Sequence, residues 1–70
     1  MPAEFVIENR DKGRRYVFRP LGNGKVQIRR WEYLKCCHER TQDRADAQRL
    51  WRWMTRYLGY VAQDRNLLDS

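Results

Sequence analysis

Two glycine-containing turns divide the first half of the chain and constrain its fold more than any other feature. The first is Asp11-Lys12-Gly13, and the second runs from Pro20 to Gly24. Gly and Asn supply the positive φ angles that tight hairpins need, and Pro20 ends the strand before it. The segments between the turns are short and rich in β-branched and aromatic residues. The spacing therefore predicts an antiparallel meander of three strands, over residues 4–9, 14–19 and 25–33.

Alternation along these strands predicts which residues face the core, because successive side chains in a strand point to opposite faces of the sheet. The apolar set, predicted to face the core, is Phe5, Ile7, Tyr16, Phe18, Val26 and Ile28. The opposite set is basic with interleaved apolar and aromatic residues: Val6, Arg15, Val17, Arg19, Gln27, Arg29 and Trp31. A bulge near Arg29 and Arg30 is the open alternative, and it would return Trp31 to the core.

The second half of the chain carries a helical pattern. Apolar residues at spacings of three and four fall in one sector of a helix. They are Ala47, Leu50, Trp51, Met54, Tyr57, Leu58 and Val61. Asp43 is the expected N-cap, after a polar, loop-like segment at 39–43, and Gly59 is the expected C′ residue. We predict a helix over about residues 43–62, with Leu50 and Met54 buried.

The length of the chain, 70 residues, allows one domain and little more. Three Trp, four Tyr and two Phe can nevertheless bury a large area. We predict an α+β fold in which a three-stranded antiparallel β-meander packs against one C-terminal α-helix (βββα). This domain spans residues 1–63 and a frayed tail spans 64–70. Association into a homo-oligomer would bury more surface and stays an open alternative.

The charge balance indicates the kind of partner. Fifteen Lys and Arg against nine Asp and Glu leave a net charge of +6. A field of this sign attracts nucleic acid, an acidic protein or an anionic membrane surface, although an Arg-rich solvated surface is the plain alternative. The N-terminus has no charged leader before an apolar run, and no stretch approaches transmembrane length. We therefore expect a cytoplasmic protein that does not associate with membranes.

Cys36, Cys37 and His38 are the candidates for metal or thiol chemistry. Adjacent thiols diverge and the chain offers no second Cys/His pair, so we expect no metal within one subunit and no cofactor. No nucleophile and base stand at a productive spacing, and Gly22-Asn23-Gly24 leads into a strand and not into a helix. We expect no catalytic residues and no enzymatic activity.

The leading functional hypothesis is a nucleic-acid-binding module for DNA or RNA. The proposed contacts are Arg15, Arg19, Arg29 and Trp31 on the outer sheet face, with Arg30 at the periphery, because Arg binds phosphate and flat rings stack on bases. Over residues 14–58, chiefly RPLGNGKVQIRR and the helix after it, the layout resembles integrase N-terminal DNA-binding domains and a plant class of DNA-binding domain. Both pack three strands against one helix.

The alternative hypothesis is a small regulatory or interaction protein that docks on an acidic protein partner. Trp, Tyr and Arg dominate the binding energy of protein interfaces. The candidate residues lie on the outer side of the helix: Arg49, Arg52, Trp53, Arg56 and Tyr60. The salt dependence of binding distinguishes the two hypotheses. The logarithm of the affinity for a polyanion falls linearly with the logarithm of the salt concentration, whereas a protein interface should be much less sensitive.

Overall fold

The computed structural model describes residues 4–33, 35–63 and 66–67, with the backbone alone at Cys36 and Cys37. Five strands and one helix follow along the chain. They are β1 (Phe5–Asn9), β2 (Arg14–Pro20), β3 (Lys25–Glu32), β4 (Lys35–Asp43), α1 (Arg44–Tyr57) and β5 (Val61–Ala62). The strands form one antiparallel sheet in the order β4-β3-β2-β1-β5. The α+β class is confirmed, whereas the prediction of three strands is wrong.

Strands β4 and β5 are the two that the sequence did not indicate. β4 lies at one edge of the sheet, where its polar residues meet solvent on both faces and show no apolar alternation. The predicted loop at 39–43 is the second half of this strand. β5 has only two residues, which pair with Ile7 and Glu8 of β1. It occupies the end of the segment that was predicted as helix.

The turn between β3 and β4 packs against the turn between β1 and β2. Tyr33 has a φ of +58°, a left-handed conformation that is uncommon for a large side chain. Its N–H donates to the carbonyl of Gly13 at 2.7 Å. A Cβ at Gly13 would lie 2.8 Å from the Tyr33 ring, so only glycine fits beneath it. The left-handed turn thus places an aromatic ring, 81 % exposed, at the end of the sheet.

The core forms between one sheet face and the helix, around Trp51. The Trp51 side chain is 1 % exposed and contacts Phe5 and Phe18 edge-on, with ring centroids 6.3 Å and 5.1 Å away. Edge-to-face packing of this kind adds about 0.5–1.5 kcal/mol per pair beyond the burial of area. The other fully or nearly buried core residues are Ile7, Val26, Ile28, Ala47, Met54, Tyr60 and Leu67. The predicted core side of the first three strands is confirmed, with Tyr16 half-buried at its margin.

The helix crosses the sheet diagonally. At its start, the N–H of Arg44 donates to the carbonyl of Gly24, beside the end of β4. At its other end, Nδ2 of Asn9 donates to the carbonyl of Leu58 at 3.0 Å, beside the opposite end of β1. The corner of the sheet formed by β3 and the first half of β4 is therefore not covered by α1.

The helix is shorter than predicted, and some residues of the predicted apolar sector are exposed. It ends at Tyr57, and Gly59 follows with a φ of +79°, as a C′ glycine does. The predicted burial of Met54 is confirmed, whereas Leu50 is only half-buried. Tyr57 and Val61, which belong to the predicted apolar sector, are 69 % and 66 % exposed.

Leu67 lies within the segment 64–70 that was predicted as a tail. This side chain is fully buried in the core cluster. Nε2 of Gln48, on the helix, donates to the Leu67 carbonyl at 3.5 Å. The chain therefore returns to the helix after β5, and a residue of the tail completes the core.

Candidate nucleic-acid interface

The outer sheet face, the one turned away from the helix, carries the residues first proposed for binding. Arg15 lies directly opposite Trp31, and Val17 lies opposite Arg29. The guanidinium of Arg15 stands 5.7 Å from the centre of the Trp31 ring, within cation–π range. The β3–β4 register shifts between Arg30 and Trp31, but the irregularity falls on β4. Trp31 therefore stays on the outer face, half-buried, as the alternation predicted.

Carboxylates accompany the cations of the outer sheet face. Nε of Arg29 donates to Glu39 at 3.0 Å, and Nε of Arg19 lies 3.5 Å from Glu4. At the edge of the face, Nζ of Lys25 pairs with Asp43. The hydrogen bond and the charge of Lys25 hold the pKa of Asp43 below its ordinary value. Asp43 occupies the predicted N-cap position but makes no capping hydrogen bond, because its carboxylate is turned toward Lys25.

The outer sheet face is electrically balanced as a result. Among the described residues, its cations are Arg15, Arg19, Lys25 and Arg29, and its carboxylates are Glu4, Glu8, Glu39 and Asp43. Positive and negative groups of the described part are thus equal in number on this face, which gives little long-range attraction for a polyanion.

The opposite side of the molecule is formed by α1 and the inner face of the sheet. Its described cations are Arg14, Arg30, Lys35, Arg40, Arg44, Arg49, Arg52 and Arg56, and its described carboxylates are Glu32 and Asp46. Within the part of the chain that the structure describes, cations therefore outnumber carboxylates on the helix side and not on the outer sheet face.

The exposed stripe of α1, which we call the helix ridge, consists of Arg49, Arg52, Trp53, Arg56 and Tyr57. At 100° per residue these five positions form one continuous band on the side away from Trp51. Trp53 is 52 % exposed and Tyr57 is 69 % exposed. NH2 of Arg49 pairs with Asp46 at 2.7 Å, whereas among the described residues no carboxylate pairs with Arg52 or Arg56.

Two of the predicted site residues lie elsewhere. Arg30 is opposite Tyr16 and His38, so it belongs to the helix side of the sheet and not to the face that carries Trp31. Tyr60 is 4 % exposed and packs edge-on against Tyr16, with ring centroids 5.4 Å apart. Burial raises the pKa of the Tyr60 hydroxyl, against an opposing hydrogen bond from Arg14. Tyr60 is thus a core residue and is not available to a partner.

Sequence reasoning missed Tyr57 as a member of the ridge. The residue lies at the margin of the apolar sector on the helical wheel, where an aromatic side chain fits a core or an exposed position equally well. Its spacing of four residues from Trp53 was the available signal, because residues at i and i+4 share one side of a helix.

The described residues contain no group of three or more His, Cys, Asp or Glu that could hold a metal ion. The side chains of Cys36 and Cys37 lie outside the described part, so the expectation of no intrachain metal site stays a prediction. Within residues 4–33, 35–63 and 66–67, no helix has the length and apolarity needed to cross a bilayer.

No known protein family, curated protein or solved structure matches this chain. The layout shared with integrase-type and plant DNA-binding domains is therefore a resemblance of architecture, and the five-stranded sheet departs from it. Functional inference rests on the geometry and charge of the chain itself.

Proposed function

We propose that the protein is a non-enzymatic nucleic-acid-binding module that binds through its helix ridge and not through its outer sheet face. The observation that supports this proposal is the distribution of charge. Among the described residues, positive and negative groups balance on the outer sheet face, while eight cations and two carboxylates lie on the helix side. Polyanion binding depends on cations that can exchange their counterions for phosphates.

The residue types and spacing of the ridge suit a nucleic-acid duplex. An α-helix fits the major groove of DNA, and Arg contacts both phosphates and the guanine edge in a bidentate manner. Arg49 and Arg56 are separated by seven residues, or about 10 Å along the helix axis. This distance corresponds to roughly three phosphates of one strand at a rise of about 3.4 Å per nucleotide. Trp53 and Tyr57 supply flat surfaces between these cations for packing against sugars or bases.

The extent of the positive surface favours a nucleic acid over an acidic protein. A protein hot spot is a compact cluster in which a few residues carry the binding energy. Here further cations, Arg30, Lys35 and Arg40, lie on the inner face of β3 and β4, in addition to those of the ridge. Positive charge spread over several elements suits an extended polyanion, and an acidic protein partner becomes the outcome to be tested against it.

A double substitution on the ridge, Arg52→Gln with Arg56→Gln, tests the proposal. We expect the slope of log affinity against log salt on duplex DNA to become shallower by about two units, because each phosphate contact contributes about 0.9. The matched control is Arg19→Gln with Arg29→Gln on the outer sheet face, where both arginines are paired with glutamates, and it should leave the slope nearly unchanged. Fluorescence anisotropy with labelled duplex over a series of salt concentrations provides the measurement.

Trp53→Ala separates stacking from charge. The variant should weaken DNA binding without altering the salt slope, since an indole releases no counterions. If the outer-face control flattens the slope and the ridge variant does not, the sheet face binds the nucleic acid. If the wild-type protein binds DNA and RNA only weakly at low salt, and a partner captured through the ridge survives nuclease treatment, the protein-docking hypothesis replaces this one.

A further inference from the structure

A pocket opens at the end of the outer sheet face, where the β1–β2 turn meets the β3–β4 turn. It has a volume of about 250 Å³. Its lining includes Glu8, Arg10, Gly13, Arg14, Arg15 and Tyr33. We call it the turn pocket. We propose that the turn pocket binds one nucleotide, with the base stacked on Tyr33 and the phosphate bound by Arg15.

The ring of Tyr33 is a flat apolar surface that the fold holds outside the core. Tyr33 is 81 % exposed, more than any other large apolar side chain of the described part. Its N–H donates to the Gly13 carbonyl at 2.7 Å, and its ring lies so close to Gly13 that a Cβ there would come within 2.8 Å. An aromatic ring that is exposed and already positioned by its neighbours suits base stacking, because little freedom is lost on binding.

The backbone conformation of Tyr33 supports a role in binding. Its φ of +58° lies in the left-handed region, which Gly and Asn adopt more readily than a large aromatic residue does. Stability would therefore favour Gly or Asn at this position, but neither supplies a ring. Residues held in such sparsely populated conformations cluster at ligand sites.

Arg15 is the arginine of the turn pocket that is available to an anion. Nε of Arg10 donates to Glu8 at 3.1 Å, and Nε of Arg14 lies 3.3 Å from Glu32. Arg15 is exposed, and no carboxylate within the described ranges pairs with it. Each of the other two arginines thus has its own carboxylate, and the charge of Arg15 is left for a ligand.

Trp31 holds the guanidinium of Arg15 in place. The centre of the Trp31 ring lies 5.7 Å from the guanidinium carbon. A guanidinium that packs on a ring keeps N–H donors at its edge, and these bind phosphate oxygens bidentately. The pair therefore places a phosphate contact beside the stacking surface of Tyr33.

The size of the turn pocket limits the ligand to one nucleotide. Pockets for drug-sized ligands begin at roughly 300 Å³, so this smaller volume suits a single base with its sugar and phosphate at the rim. The nucleotide is either free or an unpaired nucleotide of a nucleic acid, since both offer the same base and phosphate. Stacking acts at short range and does not require the long-range attraction that the outer sheet face lacks. The inference goes beyond the proposed function, because the turn pocket and the helix ridge share no residue.

Titration with adenosine monophosphate, followed by amide shifts in ¹H–¹⁵N spectra at constant ionic strength, tests the stacking contact. The amides of Gly13, Arg15 and Tyr33 should shift in a saturable manner. Tyr33→Asn removes the ring and suits the left-handed backbone, so it should not lower the melting temperature. It should weaken binding of adenosine monophosphate about tenfold or more, the effect of losing one stacked base. Tyr33→Phe is the matched control, which keeps the ring and should bind as the wild type does.

Arg15→Gln tests the phosphate contact separately. It should weaken binding of adenosine monophosphate about tenfold, the effect of losing one charge-assisted contact. Adenosine has no phosphate, so its weaker binding should be unchanged by this substitution. The matched control is Arg19→Gln on the same face, where the arginine lies beside Glu4 and outside the turn pocket.

Two DNA ligands identify the source of the nucleotide. If Tyr33→Asn weakens binding of a duplex with a single-stranded overhang and leaves binding of a blunt duplex unchanged, the turn pocket takes an unpaired nucleotide of the nucleic acid. If it weakens binding of adenosine monophosphate alone, the turn pocket serves free nucleotides.

The inference is overturned if wild type and Tyr33→Asn bind adenosine monophosphate equally, or if ribose 5-phosphate, which has no base, binds as tightly. Absence of saturable shifts with both the mononucleotide and the overhang duplex would also overturn it. Failure of the ridge proposal looks different, because Arg52→Gln with Arg56→Gln would then leave the salt slope on blunt duplex unchanged while adenosine monophosphate still binds in the turn pocket.

Discussion

The two sides of the sheet carry the same basic residue type in different electrostatic settings. On the outer face, Arg19 and Arg29 each lie within ion-pair distance of a glutamate. On the helix side, Arg40, Arg52 and Arg56 have no carboxylate partner among the described residues. Strand register and helix position therefore decide whether an arginine is available to a polyanion. The number of arginines alone does not distinguish the two sides.

The three tryptophans should contribute very differently to the free energy of unfolding, and here we expect the largest effect. Trp51→Ala should cost about 3–5 kcal/mol, because it opens a large cavity between Phe5 and Phe18. For a domain of this size, that loss approaches the whole free energy of unfolding. Trp53→Ala should cost well under about 1 kcal/mol, because the side chain is largely exposed. Urea unfolding monitored by circular dichroism gives both values.

Trp31→Ala is the corresponding test on the outer sheet face. Its half-buried ring packs beside Arg15, so its cost should fall between those of Trp53 and Trp51. A loss as large as that of Trp51→Ala would show that the outer face contains a second core, and the contrast between the two sides would fail.

Removing the carboxylates of the outer face should make it resemble the helix side. Glu4→Gln with Glu39→Gln releases Arg19 and Arg29 from their ion pairs. We expect tighter duplex binding and a salt slope steeper by up to about two units, because two more cations can contact phosphate. Stability should change by no more than about 1 kcal/mol, since exposed ion pairs contribute little. The control is Asp11→Asn in the turn between β1 and β2, which changes the net charge without releasing an arginine of the outer sheet face.

An unchanged slope in the Glu4 and Glu39 variant would count against the electrostatic explanation. The shape of the outer face, and not its charge balance, would then be what keeps DNA away.

The smallest expected effect concerns the pair at the edge of the outer face. Lys25 lowers the pKa of Asp43 below its ordinary 3.8 in the folded state. The contribution to stability is therefore present above this value and is lost as the pH falls through the lowered pKa, when Asp43 is protonated in both states. Lys25→Gln should be slightly less stable than wild type at pH 7, and the difference should shrink as the pH falls below 3.8 and vanish below the lowered pKa of Asp43. Thermal melts of both proteins over this pH range are the measurement, and a difference that persists in acid would contradict the assignment.

The sequence predicted those parts of the fold in which one face is apolar and the other polar. Alternation placed Phe18 and Ile28 inside and Arg15 and Trp31 outside, and the register confirms both. The long edge strand β4 was not predicted, because neither of its faces is apolar. Backbone pairing stabilises this strand, but it produces no hydrophobic pattern in the sequence. The burial of Leu67 was not predicted for a related reason. One apolar residue cannot produce a periodic pattern that would indicate a buried face.

The candidate sites were less predictable than the fold. The sheet corner that α1 leaves uncovered depends on the diagonal path of the helix, which is determined by contacts at its two ends near Gly24 and Asn9. The neutralisation of Arg29 depends on the pairing of β3 with a strand that the sequence did not reveal. The residue types alone indicate the classes of partner. Which face carries the unpaired cations can be seen only from the strand register and the ion pairs of the structure.

The return of the chain to the helix after β5 has a consequence for how the molecule opens. The helix is attached at its start to β4, and at its end the chain pairs with β1 before Leu67 enters the core beside Gln48. Lifting α1 from the sheet would therefore also break the β5 pairing and expose Leu67. We therefore expect the helix and the central strands to exchange their amide hydrogens as a single cooperative unit. In that case the helix ridge is already folded when a partner arrives.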